Sequence, residues 1–294
     1  MEHIPVMINE VLTLIDSHSP HTKILDGTLG LGGYSLAFLE HFPDCSVLGI
    51  DRDEHAVSLA RERLNSYESA GRFRAVRANF GELSDLTDAR DSDVYVFDLG
   101  VSNMQIATPE RGFSFQNDGP LDMRMNTSGS DMTAAELLSS SDEKTLTRIF
   151  QDYGEERFSR LIARAIKQHG HPITTTSELV SVIRSALPQP VQRKMGTHPA
   201  RRIFQALRIF INDEAGELER LMQTLPTLSQ DALIIFVSYH SLEDRIVKHT
   251  FRQWQTDGKG KIITRHPLVP TEEERANNYK ARSGKLRAFC LNTH

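Results

Sequence analysis

Apolar runs and amphipathic segments alternate without a break through the first hundred residues, and few folds accept that pattern. "NEVLTLI" (9–15), "SLAFLEHF" (35–42) and "EHAVSLARERLNSY" (54–67) have helical spacing. Between and after them, "KILDGT" (23–28), "SVLGIDRD" (46–53), "FRAVRANF" (73–80) and "DVYVFDLG" (93–100) read as buried strands. Strands separated by helices imply a parallel sheet with right-handed crossovers. The pattern breaks at 103–130, which is rich in Gly, Pro, Asn, Ser and Met and reads as a long ordered loop. From 134 to 211 the spacing is helical throughout, and strand character returns at "DALIIFVSY" (231–239) and "LRAFCLN" (286–292). The reading is an α/β domain interrupted by a helical insertion: 1–108 as its first part, 109–214 as loop plus insertion, and 215–294 as its second part.

Composition narrows the class. Charged residues make up 25% of the 294 and hydrophobic ones 39%, as in ordinary globular proteins. No apolar stretch approaches the roughly 18 residues of a membrane span. The N-terminus lacks the basic and apolar regions of a secretory signal. The two cysteines, Cys45 and Cys290, form no CxxC pair, so a reduced, cytoplasmic protein is expected, with no structural zinc and no metal assigned. The net charge of −5 is uneven: 245–287 carries 11 Lys/Arg against 4 Asp/Glu, and 188–210 carries 5 and none. Such an asymmetry marks either a nucleic-acid surface on an acidic protein or two solvated helix faces.

The glycine turn "ILDGTLGLGGYS" (24–35) follows the first strand. A phosphate loop of the Walker type needs Gly-Lys-Ser/Thr, whereas Gly33 is followed by Tyr34 and Ser35. Glycines at 27, 30, 32 and 33 do not give GxGxxG, and Asp26 would disfavour a pyrophosphate beside it. Asp26-x-Thr28-x-Gly30-x-Gly32 instead looks like the first motif of enzymes that use S-adenosyl-L-methionine (SAM), with Thr in place of the first glycine. SAM carries an ammonium and a sulfonium but no phosphate, so a nearby carboxylate helps. Asp51 ends the second strand, where a carboxylate accepts both ribose hydroxyls. Phe80 stands after the third strand, placed to pack on adenine, and Asp98 ends the fourth. Ligands of open α/β sheets bind at the carboxyl ends of strands, so these residues would share one crevice.

The loop "PERGFSFQNDGPLDMRMN" (109–126), with "HPARRIFQALRIFIND" (198–213) and "VSYHSLEDRIVK" (237–248), carries a wider likeness. With "HIPVMINEVL", "TLGLGGYS", "DLGVSNMQ", "YGEERF" and "ARSGKLR", these stretches span essentially the whole chain. They resemble the RsmH (MraW) family of bacterial 16S ribosomal RNA cytosine-N4 methyltransferases. The resemblance implies a Rossmann-like SAM-dependent methyltransferase sheet with an inserted all-helical domain involved in substrate recognition. It also implies methylation of N4 of cytidine 1402 in the decoding centre of the small ribosomal subunit. The implied SAM contacts are Gly32, Gly33, Tyr34, Asp51, Phe80, Asp98 and Gln105. The sequence departs from the family at Tyr34 (usually His), Asn103-Met104 (usually Ser-Pro), Tyr239 (usually Phe) and "NYKARSGKLR" (usually "NPRSRSAKLR").

The N4 lone pair of cytosine is delocalised into the ring, so the reaction needs positioning, an acceptor for N4 hydrogens and a base turned out of its stack. Neither cysteine lies in a motif, which favours direct transfer to nitrogen. Asp98 is expected to orient the amine or the methionine end of SAM. His240 and Asp244 are further catalytic candidates, His240 as proton acceptor or as a structural histidine. Asp122 and Arg124 either fix the loop or touch the base, with loop fixing preferred. Arg193, Lys194, Arg201 and Arg202 are expected on RNA phosphates. Arg111, Arg282, Lys285 and Arg287 complete the RNA set, as does Arg245 unless it pairs with Glu243 or Asp244. The expected partner is 16S rRNA within the small subunit, with no membrane, and a homodimer is allowed. The competing readings are a non-catalytic SAM- or RNA-binding assembly factor and a divergent paralogue acting on another substrate.

Overall fold

The structure is a computed structural model, and it describes residues 5–18, 22–126, 131–194 and 198–292. The chain divides into two compact units, Met1–Gly100 with Ala215–His294, and Val101–Glu214. The division after Gly100 precedes the sequence boundary at 108 because Val101 is buried in the core of the second unit.

The first unit opens with α1 (Ile8–Asp16), β1 (Lys23–Asp26), α2 (Gly33–His41), β2 (Ser46–Asp51), α3 (Glu54–Arg63), α4 (Asn65–Ser69), β3 (Phe73–Arg77) and β4 (Val94–Asp98). The single helix expected over 54–67 is broken at Leu64, which is fully buried outside helical geometry. The second unit holds α5 (Asn103–Ala107), α6 (Ala134–Ser140), α7 (Glu143–Asp152), α8 (Ser159–Gln168), α9 (Thr176–Ala186), α10 (Gln189–Lys194) and α11 (Arg201–Ile211). The chain then returns through α12 (Glu214–Leu228), β5 (Ala232–Ser238), α13 (Ser241–Thr256), β6 (Gly260–Ile262), α14 (Glu272–Asn277) and β7 (Lys285–Leu291). Among the described residues no helix is long and apolar enough to cross a membrane.

Seven described strands form one sheet in the order β3-β2-β1-β4-β5-β7-β6. The first five are parallel, as the alternating sequence requires, but β7 is antiparallel to both β5 and β6. Strand β6 therefore runs parallel to β5, reached through α13, and β7 inserts between them. At three residues β6 is too short to announce itself in the sequence.

Period-two alternation sorts the strand residues between the two faces. Val94, Val96, Leu233, Ile235 and Val237 pack with Val11, Phe38 and Val57 of α1, α2 and α3. Tyr95, Phe97, Ile234 and Phe236 pack with Leu218 and Leu221 of α12 and Phe251 and Trp254 of α13. Covering both faces explains why β4 and β5 read as unbroken apolar runs.

In the second unit the helices bury Ile149, Phe150, Ile162, Leu179, Ile203 and Leu207 around one core. The segment expected as loop from 103 starts with α5, whose N-terminus carries a reciprocal cap between Ser102 and Gln105. Beyond it Phe113, Leu121, Met123 and Met125 of the loop join this core, while residues 127–130 lie outside the described residues. Leu121 and Met123 are no more than 1% exposed. Asn212 accepts from the Met125 amide at 2.7 Å and donates to the Met123 carbonyl at 2.8 Å.

Candidate functional site

The glycine turn joins β1 to α2, and its chemistry is set by close approach. A Cβ on Gly27 would lie 2.1 Å from the ring of Phe97, so no other residue passes there. Gly32 caps α2 with φ +74°, a left-handed conformation that L side chains rarely adopt. Thr28 stands where a glycine is usual and serves the fold. Its hydroxyl accepts the Asp98 amide at 2.6 Å, tying the turn to β4.

Because β1, β2, β4 and β5 are parallel, their carboxyl ends share one edge. Asp26, Asp51 and Asp98 end the first three, and Tyr239 follows the fourth. Asp26 is 1% exposed, accepts from the Ser35 hydroxyl at 2.7 Å and from the Thr28 amide at 3.3 Å. Burial pushes its pKa from an ordinary 3.8 up to about 6, against the lowering effect of those two bonds. Asp51 accepts from the amides of Gly30 and Asp53, both at 2.9 Å, and burial raises its pKa as well. Its carboxylate is thereby fixed in orientation while each oxygen keeps acceptor capacity for a ribose hydroxyl. Phe80 is half-buried beside this edge and meets Phe97 edge-on at 6.2 Å.

Asp98 has two partners that sequence reasoning did not bring to it. The Tyr239 hydroxyl donates to Oδ1 at 2.5 Å, and Lys280 Nζ donates to Oδ2 at 3.0 Å. The Lys280 ammonium also lies 4.3 Å from the centroid of the Tyr239 ring, a cation–π contact. Burial and the Asp98 charge push the Tyr239 hydroxyl well above its ordinary pKa, so it remains a donor. The signal for Tyr239 was its departure from Phe. Lys280 lay within the departing stretch "NYKARSGKLR", but nothing there pointed to Asp98, 182 residues away.

Several expected site residues have partners within the chain. Tyr34 is 4% exposed and its hydroxyl donates to the Val6 carbonyl, so the implied cofactor contact there falls to its backbone amide. His240 caps α13: Nδ1 accepts the Glu243 amide at 3.4 Å and Nε2 lies 2.9 Å from Glu243 Oε1. Nδ1 thus serves as a helix cap, the structural role, while Nε2 is buried and makes no hydrogen bond among the described residues, which keeps it open to the proton-acceptor role. Asp244 is paired with Arg287 at 2.6 Å and with Lys285 at 3.2 Å, and these cations hold it below the usual carboxylate range despite burial. This ion pair staples α13 to β7. It engages Asp244 and the Arg287 side chain, 11% exposed, with each other. Lys285 is half-exposed and shares that carboxylate.

In the second unit, Asp122 and Arg124 form a bidentate pair at 2.8 Å, and Arg111 donates to the carbonyls of Arg124 and Met125. These three residues fix the loop, as preferred for Asp122 and Arg124 but not foreseen for Arg111. Gln105 is 6% exposed and its side chain accepts the Ser102 amide. Arg193, Arg202, Arg245 and Arg282 are exposed and Arg201 is half-exposed; Arg202 donates to the Glu155 carbonyl and Arg282 to that of Arg275. Lys194 ends α10, and its side chain lies outside the described residues.

The donor set at the strand ends fits SAM. Three carboxylates face one edge with a single lysine among them, which suits a ligand carrying two positive charges and no phosphate. The glycine turn offers backbone without side chains, and Asp51 is held ready for a diol. Asp26, Gly30, Gly32, Gly33, Asp51, Phe80 and Asp98 would hold it.

The model of the MraW methylase family matches residues 1–291. A protein of Pseudothermotoga lettingae is 43% identical over 291 residues, covering 97% of both chains. One of Picosynechococcus sp. is 42% identical, covering 97% of this chain and 95% of its own, and one of Rickettsia bellii is 40% identical, covering 97% of each. All three carry the name ribosomal RNA small subunit methyltransferase H. Whole-length identity at this level, on top of the SAM-fitting strand edge, means that the chain belongs to the MraW methylase family and that S-adenosyl-L-methionine is its cofactor.

Proposed function

We propose that this protein methylates ribosomal RNA of the small subunit, transferring the methyl group of SAM to the exocyclic N4 of cytidine 1402 in 16S rRNA. The observation that carries the reading is Asp98, fixed at the end of β4 by Tyr239 and Lys280 on the edge whose residues fit SAM. The names of the relatives support the substrate class.

SAM supplies an electrophilic methyl group on its sulfonium. With SAM bound, the methyl group would pass to N4 as its bond to sulfur breaks, and the displaced N4 proton would leave to solvent. Asp98 accepts an N4 hydrogen and turns the nitrogen lone pair toward the methyl group, which is mainly a matter of positioning. Tyr239 and Lys280 each hold one Asp98 oxygen, so the carboxylate does not rotate to meet other donors.

The two thiols support direct transfer over covalent activation of the base. Cys45 precedes β2, and Cys290 pairs in register with Leu233 near the start of β5. Both therefore stand at the opposite edge of the sheet from Asp98, which pairs with Val237.

The test is methyl-labelled SAM with small subunits from a strain lacking this modification, followed by mapping of the label. We expect label on N4 of cytidine 1402, and a loss of at least ~10²-fold in rate for a folded Asp98→Ala variant. Label on another atom would overturn the N4 assignment, and absence of label from rRNA would overturn the substrate.

A further inference from the structure

Helix α8 in the second unit has two faces of opposite kind. Ser159, Ile162, Ala163 and Ile166 are buried in the helical core. The other face presents Arg160, Leu161 and Arg164, and Arg157 stands just ahead of the helix. These four residues and Phe158 line an open groove of about 420 Å³.

The charge on this groove is poorly neutralised. Glu143 is the carboxylate nearest to Arg160, at 3.7 Å, and to Arg164, at 3.4 Å, so one acid serves two guanidiniums. No carboxylate pairs with Arg157 among the described residues. The side chain of Arg160 is 76% exposed. By contrast Lys167, one turn on, is occupied by the carbonyls of Leu138 and Ser139 at the end of α6.

Leu161, 42% exposed, lies between the arginines. An exposed leucine framed by guanidiniums does not suit water, and it does not suit an acidic protein surface, which offers little apolar contact. It suits a ribonucleotide strand, whose phosphates take the planar, weakly hydrated guanidinium forks while a ribose or base face covers the apolar spot. Arg160 and Arg164 are one helical turn apart, roughly 6 Å along the axis, and Arg157 extends the row.

We propose that Arg157, Arg160 and Arg164 form a docking groove for the phosphodiester backbone of the RNA substrate, with Leu161 and Phe158 as its apolar floor. The proposal rests on the RNA reading above, and the groove lies beside Arg202, which donates to the Glu155 carbonyl two residues before Arg157.

The experiment is fluorescence anisotropy with a labelled, unmodified 16S rRNA transcript, titrated at several KCl concentrations. Two triple variants are compared with the wild type: Arg157→Gln/Arg160→Gln/Arg164→Gln and the charge-preserving replacement by Lys at all three positions. For the Gln variant we expect about tenfold or greater loss of affinity. The slope of log affinity against log salt should fall by roughly 2, while the Lys variant keeps most of that slope. SAM affinity and melting temperature should not change in either. A wild-type slope retained by the Gln variant would overturn the groove while leaving the RNA reading intact. A wild type without salt-sensitive RNA affinity would overturn both. Weakening on intact small subunits but not on the transcript would mean that the groove meets a ribosomal protein, which also overturns the proposal.

Discussion

The carboxylates at the strand ends and the arginines on α8 handle charge in opposite ways. Asp26, Asp51 and Asp98 are sunk into the first unit, and each oxygen that matters has a named donor. Arg157, Arg160 and Arg164 stand in solvent with one shared acid between two of them. A buried charge needs partners at fixed distances and a ligand of matching shape, because desolvation is costly. An exposed charge tolerates many geometries, which is what a polyanion of variable path requires. Shape should therefore dominate at the first surface and net charge at the second.

That contrast breaks first at Asp26 if it breaks anywhere. Burial gives its folded-state carboxyl a pKa of about 6 against 3.8 when unfolded, so the folded chain binds the proton more tightly. Wild type should lose stability relative to Asp26→Asn as pH rises from about 4 to 6, and the gap should stay constant above that. The gap should change by on the order of 3 kcal/mol over that range, measurable by chemical denaturation across pH. A gap independent of pH would mean that Asp26 is not a desolvated charge.

Asp51 provides the next test. Asp51→Ala should weaken SAM binding by about 10–100-fold, the worth of hydrogen bonds to a charged acceptor. Asp51→Glu, which keeps the charge and displaces it, should lose nearly as much. Calorimetric titration distinguishes the outcomes, and a Glu variant that binds like wild type would put charge above shape here too.

Smaller effects are expected around Asp98. Lys280→Ala should lower kcat about tenfold with little change in KM for RNA, because the lysine acts by holding a carboxylate. Lys280→Arg should recover most of it. Tyr239→Phe should cost about tenfold, the lower end of the worth of a hydrogen bond to a charged acceptor. If Lys280→Ala raised the RNA KM instead, the lysine would belong with the arginines as an RNA contact.

Sequence carried far where the determinants are local. The apolar runs that became β1 to β5 and the acids that end β1, β2 and β4 were readable, because strand identity and strand-end position depend on adjacent residues. Pairings across the chain were not. Nothing near Asp244 says that Arg287, 43 residues on, will neutralise it. The basic segment 245–287 looked uniform, yet its members divide between ion-pair staple, carboxylate holder and solvent-facing side chains. Arg160 and Arg164 passed unremarked because nearby acids dilute their charge in composition, and only the helix sorts them onto one face.

The insertion of β7 between β5 and β6 has a consequence for biogenesis. During synthesis β5, α13 and β6 emerge before the strand that must separate them, leaving two open edges with unmet backbone groups. The first unit therefore closes late, with pairings of long sequence separation that fold slowly. Lys280 lies only five residues ahead of β7, so the carboxylate it holds is set in place by the same closing event. A nascent chain would acquire its reactive edge at the moment it stops being vulnerable to aggregation, and not before.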